Sequence, residues 1–510
     1  MVSGPEVVVC VDAGTTVIKA VAYRLDGTET GTSRRDTALS SPHPGWSEQD
    51  MAEVWDATVA CVRDVVRRSG ARVRMMSVTA QGDGCWLVDG GGEPVRPAVL
   101  WNDSRAADVV SGWLDAGVLD QSFRRSGSLG FAGLAHAVLT TLGRDEPDVV
   151  ERAAAVLTCG GWLHSRLTNR VAVDRSEAAA PWLDVHGPVK GWTWSQEVLD
   201  LHDVAWAERL RPDLLDDGDR VAPLCARAAA ELGLPEGVPV VMAPYDVAAT
   251  AIGAGAVRPG QSVTVLGTTL CTETVTDAAD TTGTPGGLTL ALGADDRVLR
   301  AFPTLAGCQV LDWTVDLLGL QGPPELVGLA ARAPAGAAGL ALLPYLSPAG
   351  ERAPFLALDV AGALTGMRLD HGREHLARAV LEGLAHVVRD CLDNTPQAPT
   401  ELRLTGGGSA SALWCQLIAD VTGVPTVRTD AQEVGTRGAL ITALVATGEH
   451  TSAAQAVEAL VLDVDRFEPS TGHRTLHDQA HADFLGTREA LEPRWGPDRA
   501  RERASWELAE

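Results

Sequence analysis

The chain has 510 residues, nine cysteines and 67 acidic against 42 basic side chains, for a formal net charge of −25. That length exceeds one ordinary core, so two or three domains are expected. The acidic balance excludes nucleic acid and anionic membrane surfaces as partners, because both recruit basic surface.

With 45% hydrophobic and 21% charged residues the composition is that of a soluble globular protein. Basic residues are nearly all arginine; the lysines are Lys19 and Lys190. The cysteines are scattered and contain no Cys-x-x-Cys pair, so they read as reduced core residues of a cytoplasmic protein, with no zinc site expected. The start of the chain lacks a basic and apolar leader, so no secretion signal is expected. No apolar run reaches the ~18 residues of a membrane span.

Val7 to Val11 is a β-branched run that predicts a buried strand ending at Asp12. Ala13-Gly14-Thr15-Thr16 follows as a turn, and Val17 to Tyr23 predicts a second strand closing at Asp26-Gly27. Such a turn offers backbone N–H groups and hydroxyls to a phosphate, with Asp12 placed to hold a hydrated Mg2+. An Asp that merely caps the turn gives the same pattern. Residues 28–46 are polar and predict a surface loop, leading to a helix that starts near Asp50. Val54, Ala57, Thr58, Cys61, Val62 and Val65 mark its apolar face.

The next strand, Arg74 to Ala80, ends in Gln81-Gly82-Asp83-Gly84. Further on stand Trp101-Asn102-Asp103. Carboxylates and amides at strand ends can bind the hydroxyls of a polyol, and Trp can pack against a sugar face. Turn and cap chemistry explains the same residues equally well. Residues 120–235 are expected to be mainly helical, with a linker at Leu234-Pro235-Glu236-Gly237.

The opening pattern then recurs. Val238 to Met242 is an apolar run leading to Asp246, followed by a helix of small residues from Val247 to Ala256. Gln261 to Leu266 is a β run ending in Gly267-Thr268-Thr269, a match to Gly14-Thr15-Thr16. Gly307 precedes a helix containing Asp312, and Leu376 to Cys391 predicts an amphipathic helix. Leu402 to Thr405 is a strand ending in Gly406-Gly407-Gly408-Ser409, where glycines let a flat ring or a phosphate approach the backbone. Residues 486–510 are charged and predict a peripheral tail.

In order and spacing these motifs resemble the FGGY family of carbohydrate kinases, over roughly residues 6–450. Gly45-Trp46-Ser47-Glu48-Gln49-Asp50, Glu351-Arg352-Ala353-Pro354 and Arg378 to Gly383 match that family too. The resemblance implies an α/β fold class, with two actin-like (ribonuclease H-like) ATPase domains flanking a central cleft. The domains are expected at 1–240 and 241–450, with a peripheral helical extension over 451–510. It implies ATP-dependent phosphorylation of a small sugar or sugar alcohol, with ATP and Mg2+ as cofactors and Asp246 as the general base. Asp12 would hold the metal through water. Gly14, Thr15, Thr16, Gly267, Thr268 and Thr269 would hold phosphates, and Gly406 to Ser409, in a signature completed by Trp414, Gln416, Ala419 and Asp420, the adenosine side; Gly307 and Asp312 are assigned to the nucleotide as well. Gly82, Asp83, Trp101, Asn102, Asp103 and Asp246 would face the acceptor.

Ala243-Pro244-Tyr245-Asp246-Val247 and Gly82-Asp83 resemble the erythritol or L-xylulose branch, whereas Leu100-Trp101-Asn102-Asp103 resembles xylulokinases. The acceptor is therefore open, as is assembly as a homodimer. No Gly-x-x-x-x-Gly-Lys-Ser/Thr stretch exists, which excludes a P-loop enzyme. The alternatives are an ATPase on the same fold without a sugar acceptor, and a regulatory relative that binds sugar without transfer.

Overall fold

The computed structural model describes residues 5–430 and 433–495. The chain forms two compact units: Met1–Arg258 with Val275–Leu299 and Ala431–Val461, and Pro259–Thr274 with Arg300–Asp430 and Leu462–Glu510.

The first unit is built on a six-stranded sheet, ordered Val221–Pro223, Pro239–Met242, Arg72–Ala80, Glu6–Ala13, Val17–Tyr23, Glu29–Asp36. Glu6–Ala13 pairs parallel with Arg72–Ala80 and antiparallel with Val17–Tyr23. Val7 to Val11 are buried, as a strand covered on both faces requires. The polar stretch expected as a loop over 28–46 is in part an edge strand, Glu29–Asp36, paired antiparallel with Val17–Tyr23. Its charged side chains blunt an exposed edge, so polarity there marks an edge strand rather than the absence of one.

The helix Met51–Ser69 starts where Asp50 Oδ1 accepts from Ala52 N at 2.8 Å, and ends at Gly70 in the left-handed region (φ 59°). The helices Asp246–Ala254 and Val434–Ala446 pack backbone to backbone. A Cβ on Gly253 would stand 1.8 Å from Val434 O, and one on Gly438 1.8 Å from Ala249 O. Residues 120–235 are less helical than expected, with short strands such as Ala155–Leu157, Ala172–Asp174 and Leu183–Asp184 between short helices.

In the second unit the strands run Leu270–Thr276, Gln261–Leu266, Glu401–Thr405, Thr426–Thr429, Asp463–Phe467. Gln261–Leu266 pairs antiparallel with Leu270–Thr276 and parallel with Glu401–Thr405. That arrangement repeats the one around Glu6–Ala13. The helix Arg373–Asp393 is buried on most of its surface and packs in a core with Tyr345, Trp414 and Phe484.

The units do not follow the division expected at 240 and 450. Residues 241–258 belong to the first unit, because Pro239–Met242 pairs parallel with Arg72–Ala80. The segment after 450 is not peripheral either. Asp463–Phe467 pairs with Thr426–Thr429 as an edge strand, and the helix Arg474–Leu491 buries His477, His481 and Phe484. Of the tail expected over 486–510, residues 496–510 lie outside the described residues. All nine cysteines are free thiols and none is exposed. Among the described residues no helix is long and apolar enough to cross a membrane.

Candidate active site

Three adjacent parallel strands of the first unit carry a carboxylate at or just beyond their C-terminal ends: Asp12 on Glu6–Ala13, Asp83 after Arg72–Ala80, Asp246 after Pro239–Met242. Ligands of open α/β sheets bind at this edge. Burial pushes the Asp12 carboxyl up to about 6; Lys19, its cross-strand neighbour, pulls it back and Glu433 adds to the rise. Asp246 is raised well above the ordinary carboxylate range, first by burial and then by the charge of Asp12. The Val247 N–H opposes that rise, and Asp83 adds a smaller push. Asp246 opens the helix Asp246–Ala254, so the positive end of the helix dipole favours its ionised form.

Asp83 is buried and held at φ 55°, in the left-handed region. Tyr245 OH donates to its Oδ2 at 2.9 Å. The residue before Asp246 thereby grips the residue on the neighbouring strand end. Gly82 makes room: a Cβ there would lie 2.3 Å from the Tyr245 ring. Tyr245 N in turn donates to Ser176 Oγ at 2.8 Å. Ser176 bonds Asp174, which pairs with Arg220 at 2.8 Å. Behind Asp83 lies a cavity of about 20 Å3 whose walls include Thr158, Glu177, Trp182 and Trp194. Glu177 accepts from the Thr158 hydroxyl and is pushed up to about 8, by burial and then by Asp174.

The first turn is tied to its surroundings by side chains. Thr15 Oγ1 donates to Gln81 Oε1 at 2.8 Å and accepts from Trp101 Nε1 at 3.0 Å. Gln81 Nε2 donates to Gln49 Oε1 at 2.9 Å, and Gln49 Nε2 donates to Thr15 O at 3.0 Å. The Thr15 hydroxyl, expected on a phosphate, is engaged by this network, and what the turn presents is its exposed Thr16 and its backbone. Trp101, expected on a sugar face, is half-buried and turns its indole N–H to Thr15. Asn102 is exposed.

Asp103 departs from the expectation. It is fully buried, and its Oδ2 accepts from Ser47 N at 2.6 Å. Its Oδ1 accepts from Arg105 Nε and its Oδ2 from Arg105 NH2, both at 2.9 Å. Arg105 also donates to Glu48 Oε1 at 2.7 Å. Both oxygens of Asp103 are spent on holding the loop, so it is a structural ion pair rather than an acceptor ligand.

In the second unit three glycine-bearing segments meet at the end of Gln261–Leu266. Cys308 N donates to Gly267 O at 3.0 Å and Gln309 N to Thr268 O at 3.1 Å. A Cβ on Gly307 would stand 2.4 Å from Thr268 O, and one on Gly406 2.8 Å from Leu266 O. A Cβ on Gly407 would meet nothing within 4 Å, so this glycine faces open space. Gly408 lies against Trp414, and Ser409 Oγ donates to Gly406 O at 2.7 Å. Thr268 is exposed, and so is Asp312 in the first turn of Gln309–Leu318. Glu351 supports the assembly from beneath, accepting from Leu305 N at 2.6 Å and Ala306 N at 3.0 Å.

Several participants gave no local signal in the sequence. Glu433 pairs with Lys19 at 3.1 Å and with Arg34. Gly435 lets its helix come up to Asp12, since a Cβ there would be 2.7 Å from Asp12 Oδ2. Tyr245 stands out in the sequence only as part of the motif before Asp246, with no sign of its bond to Asp83, and Glu177 gives no signal.

Models of the FGGY family of carbohydrate kinases match the chain, the N-terminal domain over residues 7–253 and the C-terminal domain over 262–447. An erythritol kinase of Brucella abortus is 28% identical, covering 96% of this chain and 97% of that protein. A xylulose kinase of Escherichia coli is 31% identical, covering 81% of this chain and 84% of its own length. The ligand-bound xylulose kinase of Lactobacillus acidophilus superposes with a TM-score of 0.90 over 96% of this chain and 99% of that one, at 22% identity, a likeness of fold. The two-domain α/β structure is thus that of the actin-like ATPase fold, and its repeated strand pattern agrees with this. The chain belongs to the FGGY family of carbohydrate kinases, and is a phosphotransferase.

Proposed function

We propose that the chain transfers the γ-phosphoryl group of ATP to a hydroxyl of a small, uncharged polyol or ketose, with Asp246 as general base. The observation that carries this reading is the trio of carboxylates at neighbouring strand ends, of which Asp12 and Asp246 are both raised by burial and Asp246 also by the charge of Asp12. Negative charge gathered in this way, which Lys19 only partly offsets, fits a divalent cation held by Asp12, directly or through water. The glycine-lined end of the second unit fits a nucleotide, since its backbone is open at Gly407 and Thr268 is exposed in the turn that packs on the start of the helix Gln309–Leu318. When bound, ATP supplies the phosphoryl group and Mg2+ the neutralising charge.

The chain's own part is positioning and proton transfer. Asp246 takes the proton of the acceptor hydroxyl as its oxygen bonds to the γ-phosphorus, and the bond from that phosphorus to the bridging oxygen breaks to release ADP. A raised Asp246 is a stronger base once ionised, and the adjacent helix start favours the ionised form. Asp83, with Oδ2 held by Tyr245, offers its carboxylate to acceptor hydroxyls.

The same charges set the substrate class. Three carboxylates disfavour an acceptor that carries its own carboxylate, and so favour erythritol or a xylulose-like ketopentose over a sugar acid. The names of two similar proteins, erythritol kinase and xylulose kinase, support a neutral acceptor, whereas an Escherichia coli relative 27% identical is named for a sugar acid, 3-keto-L-gulonate, beside L-xylulose.

The test is ADP release measured across erythritol, D- and L-xylulose, D- and L-ribulose, xylitol, glycerol and gluconate. Turnover with one neutral polyol or ketose is expected; preference for gluconate overturns the charge argument. Asp246→Asn should lower kcat by ~10²–10⁴ with ATP binding retained, the range of a lost general base.

A further inference from the structure

Asp420 stands in the stretch that resembles the adenosine-side signature, yet its Oδ1 is turned to Gln416 and Ser470, and with two histidines of the second unit it forms a separate group. Asp420, His473 and His477 each offer one ligand atom, and these atoms lie within 4.8 Å of one another. Asp420 comes from the helix Ala412–Thr422, His477 from Arg474–Leu491, and His473 from that helix's N-cap. The spacing of four residues sets both imidazoles on one face, and His477 N donates to His473 O at 3.0 Å.

His477 is fully buried, and neither of its ring nitrogens has a hydrogen-bond partner. Buried polar atoms are nearly always satisfied, so this imidazole calls for a ligand. Asp420 is held as a metal carboxylate is held. Its Oδ1 accepts from Gln416 Nε2 and from Ser470 N, each at 2.8 Å. The nearby cations are already compensated: Arg378 pairs with Glu382 at 2.6 Å, and Arg389 with Asp478 at 2.8 Å.

We propose that Asp420, His473 and His477 bind a divalent transition metal of the zinc class, which clips the helix Arg474–Leu491 to the helix Ala412–Thr422. Two imidazoles and one carboxylate suit Zn2+ or Co2+, whereas Mg2+ prefers an all-oxygen shell. Bonds of about 2.0–2.2 Å place tetrahedral ligand atoms about 3.4 Å apart, so the three close inward around the ion. His473 is exposed and free to make that adjustment, leaving the fourth position to water. None of the three ligands is a cysteine, so the group escapes a search of the sequence for cysteine pairs.

The test uses the full chain, stripped with chelator and then equilibrated with Zn2+ or Co2+ in the presence of excess Mg2+, which fills the carboxylate cluster of the first unit. One equivalent of metal per chain, visible Co2+ absorption of a low-symmetry site, and a rise in Tm of several degrees are expected. His473→Ala, at an exposed position, should abolish the equivalent and the rise while leaving kcat unchanged. Metal binding no better than background, or one equivalent retained by both His473→Ala and Asp420→Asn, overturns the site.

Discussion

The two units carry the same turn on the same scaffold and use it differently. In each, a strand pairs antiparallel with its successor and parallel with a later strand, and the connection to the successor is a Gly-Thr-Thr turn. At Gly14-Thr15-Thr16 the strand ends in Asp12, and side chains of Gln49, Gln81 and Trp101 fix the turn. At Gly267-Thr268-Thr269 there is no carboxylate, and backbone groups of Cys308 and Gln309 do the fixing. The duplicated turn supplies a frame; the chemistry comes from what is placed beside it. In the proposed function, the carboxylate beside the first is the place for a cation, and the glycines beside the second are the surface for a ligand's flat or anionic face.

Four substitutions test that division. The largest effect is expected at the acid side: Asp12→Asn should lower kcat by ~10²-fold or more and shift the Mg2+ dependence upward, while KM for ATP changes little. A steady-state Mg2+ titration reads it, and an unchanged Mg2+ dependence would break the assignment of the metal to the first turn.

Glu177→Gln comes next. In the folded chain Glu177 is held protonated up to about pH 8, whereas an unfolded glutamate ionises near 4.5. The folded state therefore keeps a proton that the unfolded state releases, and stability falls as pH rises between those values. The neutral glutamine removes that loss. Its Tm should match wild type near pH 4.5 and exceed it near pH 8.5, by an energy on the order of a few kcal/mol. Thermal melts at the two pH values check this.

On the backbone side, Gly307→Ala puts a Cβ 2.4 Å from Thr268 O. It should raise KM for ATP while leaving KM for the acceptor unchanged, and destabilise by about 1–3 kcal/mol. The smallest effect belongs to Thr15→Val, which removes a hydroxyl bonded to Gln81 and Trp101. A loss of about 1–3 kcal/mol in stability is expected, with nucleotide affinity little altered. A large loss of ATP affinity would return the Thr15 hydroxyl to the phosphate.

Much of the frame was legible because strand ends announce themselves. The β-branched runs into Asp12 and towards Asp246, and the glycines after Thr405, are local patterns with local causes. What escaped depends on pairing across the chain. Glu433 and Gly435 reach Asp12 only because the helix Val434–Ala446 packs back onto the first sheet. The edge strands Glu29–Asp36 and Asp463–Phe467 are too polar to show a buried face. Asp103 looked like a ligand because a motif shows residue types and not partners; its partner, Arg105, stood two residues away.

The bond between Tyr245 and Asp83 ties the setting of the chemistry to the reading of the substrate. Tyr245 precedes the proposed base, and its ring lies where any side chain at position 82 would have to go. The proposed acceptor side and the proposed base are therefore packed into a single block. A change at 82 or 83 alone would disturb the backbone that aims Asp246, so altering the sugar preference calls for residues 82, 83 and 245 to be exchanged together.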